Sequence, residues 1–401
     1  MNIGLFTDTY FPQINGVATS VWMLKVNLEK LGHTVYIFTT TDPEAPAHEH
    51  HVYRLPSIPF AGARRIGLFY HPETARKVRA LRLDVIHTHT EFSLGIFGRR
   101  IARALGIPTV HTMHTIYEHY THYIAKTGTL DAAAKTLARK MSRHFCNTAD
   151  AVIAPTEKVE EMLRVYGVGN RIAVIPTGIE LDKFSPVRYS DAEITAAKAE
   201  YGLVDTDRVL LYIGRISKEK NLVEILQGLR DYLPRHPNVK FLLVGDGPDR
   251  KNLQSLTHSL GMESKVIFAG EKPWEQIGLY YQLGDMFVSA SQSETQGLTF
   301  IEALAAGLPL IARADPCLEQ VLNHGVNGFG FEDKVGFLSA LEAAMSGDII
   351  LQGMSKAAVR SAVPFSAETF ARSVEGLYKE TLLYKEEAHC LPSICDHQQT
   401  V

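Results

Sequence analysis

Residues 291–307, SQSETQGLTFIEALAAG, follow an apolar run at 286–289 and open a segment whose apolar positions have helical spacing. Buried-type strand, polar loop and helix in that order are the unit from which helix-wrapped parallel sheets are built. Backbone N–H groups from Gly297 through Leu298 into Thr299 lie at a helix start, a ready anion site, and Glu302 falls about one turn inside. A carboxylate there can accept hydrogen bonds from a ribose diol, as acidic residues do in nucleotide-binding folds. Taken alone, Glu294 and Glu302 are more often two solvated charges on a helix surface, so the neighbouring segments decide.

The same alternation continues outward. In the second half, β-branched apolar runs at 209–213, 240–244, 265–268 and 308–312 flank the run at 286–289. In the first half, comparable runs fall at 3–6, 35–39, 84–87, 109–112, 151–154 and 172–175. After Gly16, Val17, Val21, Leu24, Leu28 and Leu31 recur as one helix face, which Gly32 ends. The implied fold is α/β, with two Rossmann-like doubly wound domains facing across a cleft. Expected boundaries are a first domain over 1–185, a second over 186–365, a carboxyl-terminal helix over 366–385 crossing back to the first domain, and a disordered tail over 386–401. Phe370, Val374, Leu377 and Leu382 form the apolar positions of that helix.

A chain of 401 residues, 45% hydrophobic and 21% charged, suits two soluble globular domains. No apolar stretch approaches the ~18 residues of a membrane span, and the amino terminus lacks the basic flank of an export signal. Cys146, Cys317, Cys390 and Cys395 are too scattered for a disulfide framework, which fits a reducing, cytoplasmic compartment. The tail's His389, Cys390, Cys395 and His397 match no standard zinc spacing. Residues 1–185 carry 21 Lys and Arg against 16 Asp and Glu, and the remainder 20 against 28. A basic first half suits an anionic acceptor, a membrane surface or nucleic acid, and ordinary surface variation explains it equally well.

Arg215 and Lys220 stand in GRISKEKN, directly after the run at 209–213, where the carboxyl end of a strand would meet phosphates. Two cations there can grip a diphosphate and neutralise the charge that builds on a departing nucleotide, without a metal. Gly16, in PQINGV, turns the first strand into the first helix and lets backbone approach a phosphate, and a plain tight turn is equally compatible. This is not the GxGxxG fingerprint of nicotinamide or flavin enzymes. In VHTMH, His111 packs and His114 lies just past a strand end, facing the expected cleft. Asp205-Thr206-Asp207 precedes a strand, the wrong end for a ligand, and reads as a turn rather than a metal motif.

Together the loop at Asn15 and Gly16, His114, the pair Arg215 and Lys220, Val244-Gly245-Asp246-Gly247 and the Glu294-to-Glu302 spacing resemble the retaining family 4 glycosyltransferases of GT-B fold, over residues 1–384. The resemblance implies a UDP-sugar donor and no metal or other cofactor. It assigns Gly16, Arg215 and Lys220 to the donor diphosphate, with Gly245 and Asp246 in the same donor site. Glu302 goes to the ribose, Glu294 and the backbone of Gln296, Gly297, Leu298 and Thr299 to the donor sugar, and His114 to the sugar beside the reacting carbon. Retention implies attack from the face the nucleotide leaves, with the leaving phosphate helping to take the acceptor proton and no enzymic nucleophile.

Within the family, FTDTYFPQINGVATSV, HTHTEFSLGIFG and HTMHTIYEHYTHYI look most like bacterial enzymes that glucosylate 1,2-diacylglycerol to make a glycolipid. A lipid acceptor without a membrane span implies a peripheral enzyme on the inner face of the cell membrane. Two segments suit contact with an anionic surface: Phe60, Arg64, Arg65 and Phe69 in IPFAGARRIGLFYHP, and a stripe of Lys135, Arg139 and Arg143 on a helix over 130–145, opposite Leu130, Leu137, Met141 and Phe145. Asp8, Tyr10, Glu91 and Tyr117 are candidate acceptor contacts. A soluble acceptor, another lipid such as phosphatidylinositol, a sugar-nucleotide epimerase and a non-catalytic sensor stay open at this level, because one fold serves all of them.

Overall fold

The computed structural model describes residues 1–13, 15–46, 48–59, 65–67, 69, 71–118 and 128–390. The chain forms two compact units, one of 1–176 with 368–401 and one of 177–367. In the first, β1 (Asn2–Phe6), β2 (Thr34–Thr40), β3 (Val52–Leu55), β6 (Val85–Thr88), β7 (Thr109–Thr112), β8 (Ala151–Ala154) and β9 (Ile172–Val174) form a parallel sheet in the order β3-β2-β1-β6-β7-β8-β9. β4 (Ser57–Pro59) and β5 (Arg65–Gly67) pair as a separate antiparallel hairpin, joined to this unit by Gly67 N donating to Ser93 Oγ at 2.9 Å. In the second unit, β10 (Arg208–Ile213), β11 (Val239–Val244), β12 (Val266–Gly270), β13 (Met286–Ser289), β14 (Leu310–Arg313) and β15 (Gly328–Phe331) form a parallel sheet in the order β12-β11-β10-β13-β14-β15.

Alternation along each strand builds the cores. Ile3 and Leu5 of β1 face the helix Gly16–Lys30, whose Val21, Leu24 and Leu28 are fully buried, while Phe6 faces the opposite cluster of Phe38, Leu94 and Phe97. Asn15 caps the first helix, its side chain accepting from Val17 N at 3.1 Å and Ala18 N at 3.0 Å.

The terminal helix, Ala367–Cys390, closes the first unit, with Phe370, Val374, Leu377 and Tyr378 packed in the same core as Ile3 and Leu5. It runs through residues 386–390, which the sequence assigns to a tail, because Lys385-Glu386-Glu387-Ala388 are good helix formers and Lys385 pairs with Asp150 at 3.5 Å. Residues 391–401 lie outside the described residues.

The second unit begins at Thr177 rather than near 186. The Gln296 side chain accepts from Thr177 N at 2.8 Å and donates to Thr177 O at 2.9 Å, and Ile179 and Phe184 join the second core. Strand β15 also escapes sequence reading. Gly328-Phe329-Gly330-Phe331 has the composition of a turn, yet it pairs with β14, where a Cβ on Gly328 would lie 2.2 Å from Leu310 O. Among the described residues no single helix is long and apolar enough to cross a membrane.

Replacing Leu377 by Ala should destabilise the first unit by about 2–5 kcal/mol, since it leaves a cavity at a fully enclosed site. Urea unfolding followed by circular dichroism measures this, with exposed Glu386→Ala as a control expected to stay within about 0.5 kcal/mol.

Candidate active site

In the second sheet, chain order reverses between β10 and β13, so the loops after these two strands part and leave a crevice at their carboxyl ends. The loop after β10 carries Arg215 and Lys220, and the loop after β13 carries Ser291, Glu294 and Gln296. Their tips meet: Lys220 Nζ forms an ion pair with Glu294 Oε1, and Ser291 Oγ donates to the same oxygen at 2.8 Å. Gly297, at φ +74°, then starts the helix Leu298–Ala305. A Cβ there would lie 2.4 Å from the Phe300 ring. No side chain caps this helix, so Leu298 and Thr299 present first-turn N–H groups next to the ion pair.

Backbone proximity holds the neighbouring loops. Gly214 N donates to Val244 O at 3.0 Å, Ile216 N to Asp246 O at 2.9 Å and Gly245 N to Gly270 O at 2.8 Å, extending the sheet past its strands. Gly245 has φ +138°, and a Cβ on it would lie 2.0 Å from Gly214 O. The Tyr212 hydroxyl donates to Arg215 O at 3.0 Å. Asp246 accepts from Gly247 N at 2.6 Å and from Arg250 at 2.7 Å, contacts that hold its carboxyl below the usual range.

Glu302 is buried within its helix, accepting from the Tyr281 hydroxyl at 2.6 Å. Burial raises its pKa, and the Tyr281 bond and the charge of Lys183 oppose that shift. Tyr281 lies on a separate short helix, Ile277–Tyr281, and no local pattern links the two residues. Ser291 was legible in principle, three residues from Glu294 in the same loop.

In the first unit, Asp8 is buried just past β1. Its carboxylate accepts from Thr90 Oγ1 at 2.5 Å, from Leu94 N at 3.1 Å and from Ser93 Oγ. It thereby caps the helix Ser93–Leu105, whose own N-cap residue offers no side-chain bond. Burial raises the Asp8 pKa. Tyr10 packs in the core beside Leu24 and Leu28, where the apolar helix face takes up the ring, and is 5% exposed. Glu91, also buried, accepts from the Tyr117 hydroxyl and lies 3.3 Å from His111 Nε2. His114 Nε2 lies 3.0 Å from His89 Nδ1, and burial with the nearby His111 lowers its pKa to about 3. A Cβ on Gly16 would meet nothing within 4 Å, so packing alone does not demand glycine there.

Of the surface residues, Phe60 and Arg64 lie outside the described residues. Phe69 is half exposed, and Arg65 is tied to its hairpin, donating to Ser57 Oγ at 2.8 Å and Ser57 O at 2.9 Å. On the helix Gly128–Asn147, Lys135 pairs with Asp131 at 2.8 Å and Arg139 with Glu118, while Arg143 is exposed. The buried face is Ala138, Ser142, Phe145 and Cys146; Leu137, expected in an apolar cluster, stands 68% exposed. Asp207 closes a turn, accepting from Val204 N at 3.0 Å before β10, and no group of three metal-ligating side chains occurs among the described residues.

The fold is that of solved two-Rossmann sugar-transfer enzymes. A sucrose-phosphate synthase from Thermosynechococcus elongatus superposes with TM-score 0.75 at 22% identity, covering 96% of this chain and 99% of that one. Anabaena HepE in complex with UDP and glucose superposes with TM-score 0.73 at 18% identity, covering 95% and 100%. These similarities define the class, a GT-B glycosyltransferase fold. Residues 14–183 match the family described as Glycosyltransferase Family 4, and residues 193–358 that described as Glycosyl transferases group 1. Alpha-monoglucosyldiacylglycerol synthases are similar over nearly the whole chain: that of Streptococcus pneumoniae is 40% identical over 390 residues, 96% of this chain and 86% of its own, and that of Acholeplasma laidlawii 37% identical over 391 residues, 95% and 98%. The chain belongs to glycosyltransferase family 4 and is a glycosyltransferase.

Because the folded pKa of Glu302 lies above its unfolded value, the native state holds more protons between the two, and stability falls as pH rises through that window. Glu302→Gln keeps an acceptor for Tyr281 and removes the ionisation. It should melt higher than the parent by about 2–4 °C near pH 7.5, with a shallower decline in thermal scans as pH rises above the ordinary glutamate range.

Proposed function

We propose that this enzyme transfers glucose from UDP-glucose to 1,2-diacylglycerol with retention at the anomeric carbon, forming a monoglucosyl lipid while bound to the inner face of the cell membrane. The pairing of Lys220 with Glu294 at the switch point of the second sheet carries the catalytic part of this reading. The lipid acceptor rests on the near-full-length similarity to the two synthases, and the glucose and UDP on their names and on the HepE complex.

Lys220 and Arg215 bind the diphosphate, the first-turn N–H groups of Leu298–Ala305 supply further donors, and Glu302 accepts from the ribose hydroxyls. Glu294 is held by Ser291 and turns to the hydroxyls of the donor sugar once phosphate neutralises Lys220. Gly245 and Gly16 leave room for the donor, and His114 contacts the sugar. As the bond from the anomeric carbon to phosphate oxygen breaks, the acceptor oxygen bonds that carbon from the same face, and its proton passes to the leaving phosphate. Charge then peaks on the diphosphate, where the two cations stabilise the transition state most.

On the acceptor side, Glu91 and Tyr117 stand together at the carboxyl ends of β6 and β7 and are proposed to contact the diacylglycerol hydroxyl region, with Asp8 holding the loop that carries Glu91. Exposed Ile58 on the hairpin and Phe69 beyond its second strand, with Arg143 and Leu137 on the helix Gly128–Asn147, are proposed to meet an anionic leaflet, where a nearby cation contributes about 1 kcal/mol.

Lys220→Ala and Arg215→Ala should each lower kcat by about 10²–10³-fold with unchanged circular dichroism; unaltered turnover in both removes the electrostatic role. Radiolabelled UDP-glucose and UDP-galactose, offered with diacylglycerol in mixed micelles, should give lipid-extractable label from UDP-glucose that rises with anionic phospholipid. Binding of either donor without labelled lipid discards the diacylglycerol acceptor.

A further inference from the structure

Four histidines gather at the carboxyl ends of β6 and β7, and three of them stack in series. His87 and His89 alternate with Thr88 and so share a face, with ring centroids 4.0 Å apart, and His89 stacks on His114 at 5.3 Å and 26°. His87 is fixed from both sides: its Nδ1 lies 2.6 Å from the Tyr378 hydroxyl of the terminal helix and its Nε2 2.7 Å from Thr112 Oγ1. The ring above it, His89, is 1% exposed, and its Nδ1 shares a hydrogen bond of 3.0 Å with His114 Nε2. Its Nε2 is enclosed with no partner among the described residues.

We infer that His89 is a positioning residue that sets the tautomer of His114, so that His114 offers an Nδ1–H donor to a hydroxyl of the transferring sugar. Each neutral imidazole carries one proton, and the bond between the rings uses one. If His114 supplied it from Nε2, the proton of His89 would sit on the enclosed Nε2 as an orphaned N–H, and His114 would be left with a bare Nδ1. If His89 supplies it from Nδ1, only a lone pair is orphaned and His114 keeps its proton on Nδ1. Buried orphaned N–H groups are the rarer and costlier of the two. Both rings stay neutral because burial opposes their charging, so a third, doubly protonated arrangement does not compete. The stack of His87 beneath, pinned by Tyr378 and Thr112, resists rotation of His89 out of this bond.

The inference rests on the proposed contact of His114 with the donor sugar, and the two are separable. Long-range ¹H–¹⁵N correlation spectra of the full-length protein labelled with ¹⁵N-histidine, with His114 assigned by its loss in His114→Ala, report the tautomer without any activity. The expected spectrum shows His114 protonated at Nδ1 between pH 6 and 8; protonation at Nε2 overturns the inference. In His89→Phe, which cannot donate, His114 should lose its fixed tautomer and kcat should drop tenfold or more. In His89→Asn, whose Nδ2 occupies the place of Nδ1 and donates, both tautomer and kcat should return to within a few-fold of the parent. Equal behaviour of the Phe and Asn variants means that the ring only fills space and refutes the assignment. Full activity in His114→Ala removes the sugar contact itself while leaving the spectroscopic result standing.

Discussion

In each of the two large sheets every strand runs parallel to its neighbours, and the placement of functional groups depends on that constraint. Parallel strands end on the same side, so the connections that follow them converge there. Where strand order reverses, two loops part and leave room for a ligand. In the second unit this brings Lys220 and Glu294, 74 residues apart, into one ion pair. In the first it gathers Asp8, His89, Glu91 and His114. The adjoining loops after β10 and β11 pass so closely that a Cβ on Gly245 would lie 2.0 Å from Gly214 O, and the strand direction is carried into the loop bearing Arg215.

The polar groups at these strand ends are costly to bury, and the surrounding structure satisfies most of them. Asp8 accepts three hydrogen bonds and caps a helix more than eighty residues away in sequence. Glu302 has the Tyr281 hydroxyl, yet burial still raises its pKa. Such sites trade stability for a prearranged charge, which is where an enzyme gains transition-state stabilisation. His89, with one nitrogen paired and one enclosed without a partner among the described residues, belongs to the same economy.

Residues adjacent in sequence were read most accurately. The runs at 109–112, 151–154 and 286–289 correspond to strands with the same bounds, because strands buried on both faces read as short runs rich in apolar and β-branched residues. The strand β15 and the hairpin β4–β5 were not legible, since glycines and short polar-flanked runs carry no alternation strong enough to mark them. An aromatic side chain just past a strand end, as Tyr10 is, can point to core or to solvent, and sequence does not say which; the structure packs this one in the core. A cationic stripe marks the helix Gly128–Asn147 in the sequence, but its buried face is the small residues Ala138 and Ser142 with Phe145 and Cys146, which leave Leu137 in water.

The sequence by itself determined the parallel α/β class, the two-domain organisation, the family and the identity of the charged residues in the loops, because these follow from local periodicity and short motifs. Only the tertiary structure decided which charges meet. Lys220 takes Glu294, Glu302 takes Tyr281, Asp8 takes Ser93 and Leu94, and His114 takes His89. The physical reason is that hydrogen bonds and ion pairs act over about 3 Å in space. Strand order sets that distance, whereas a single sequence records separation only along the chain.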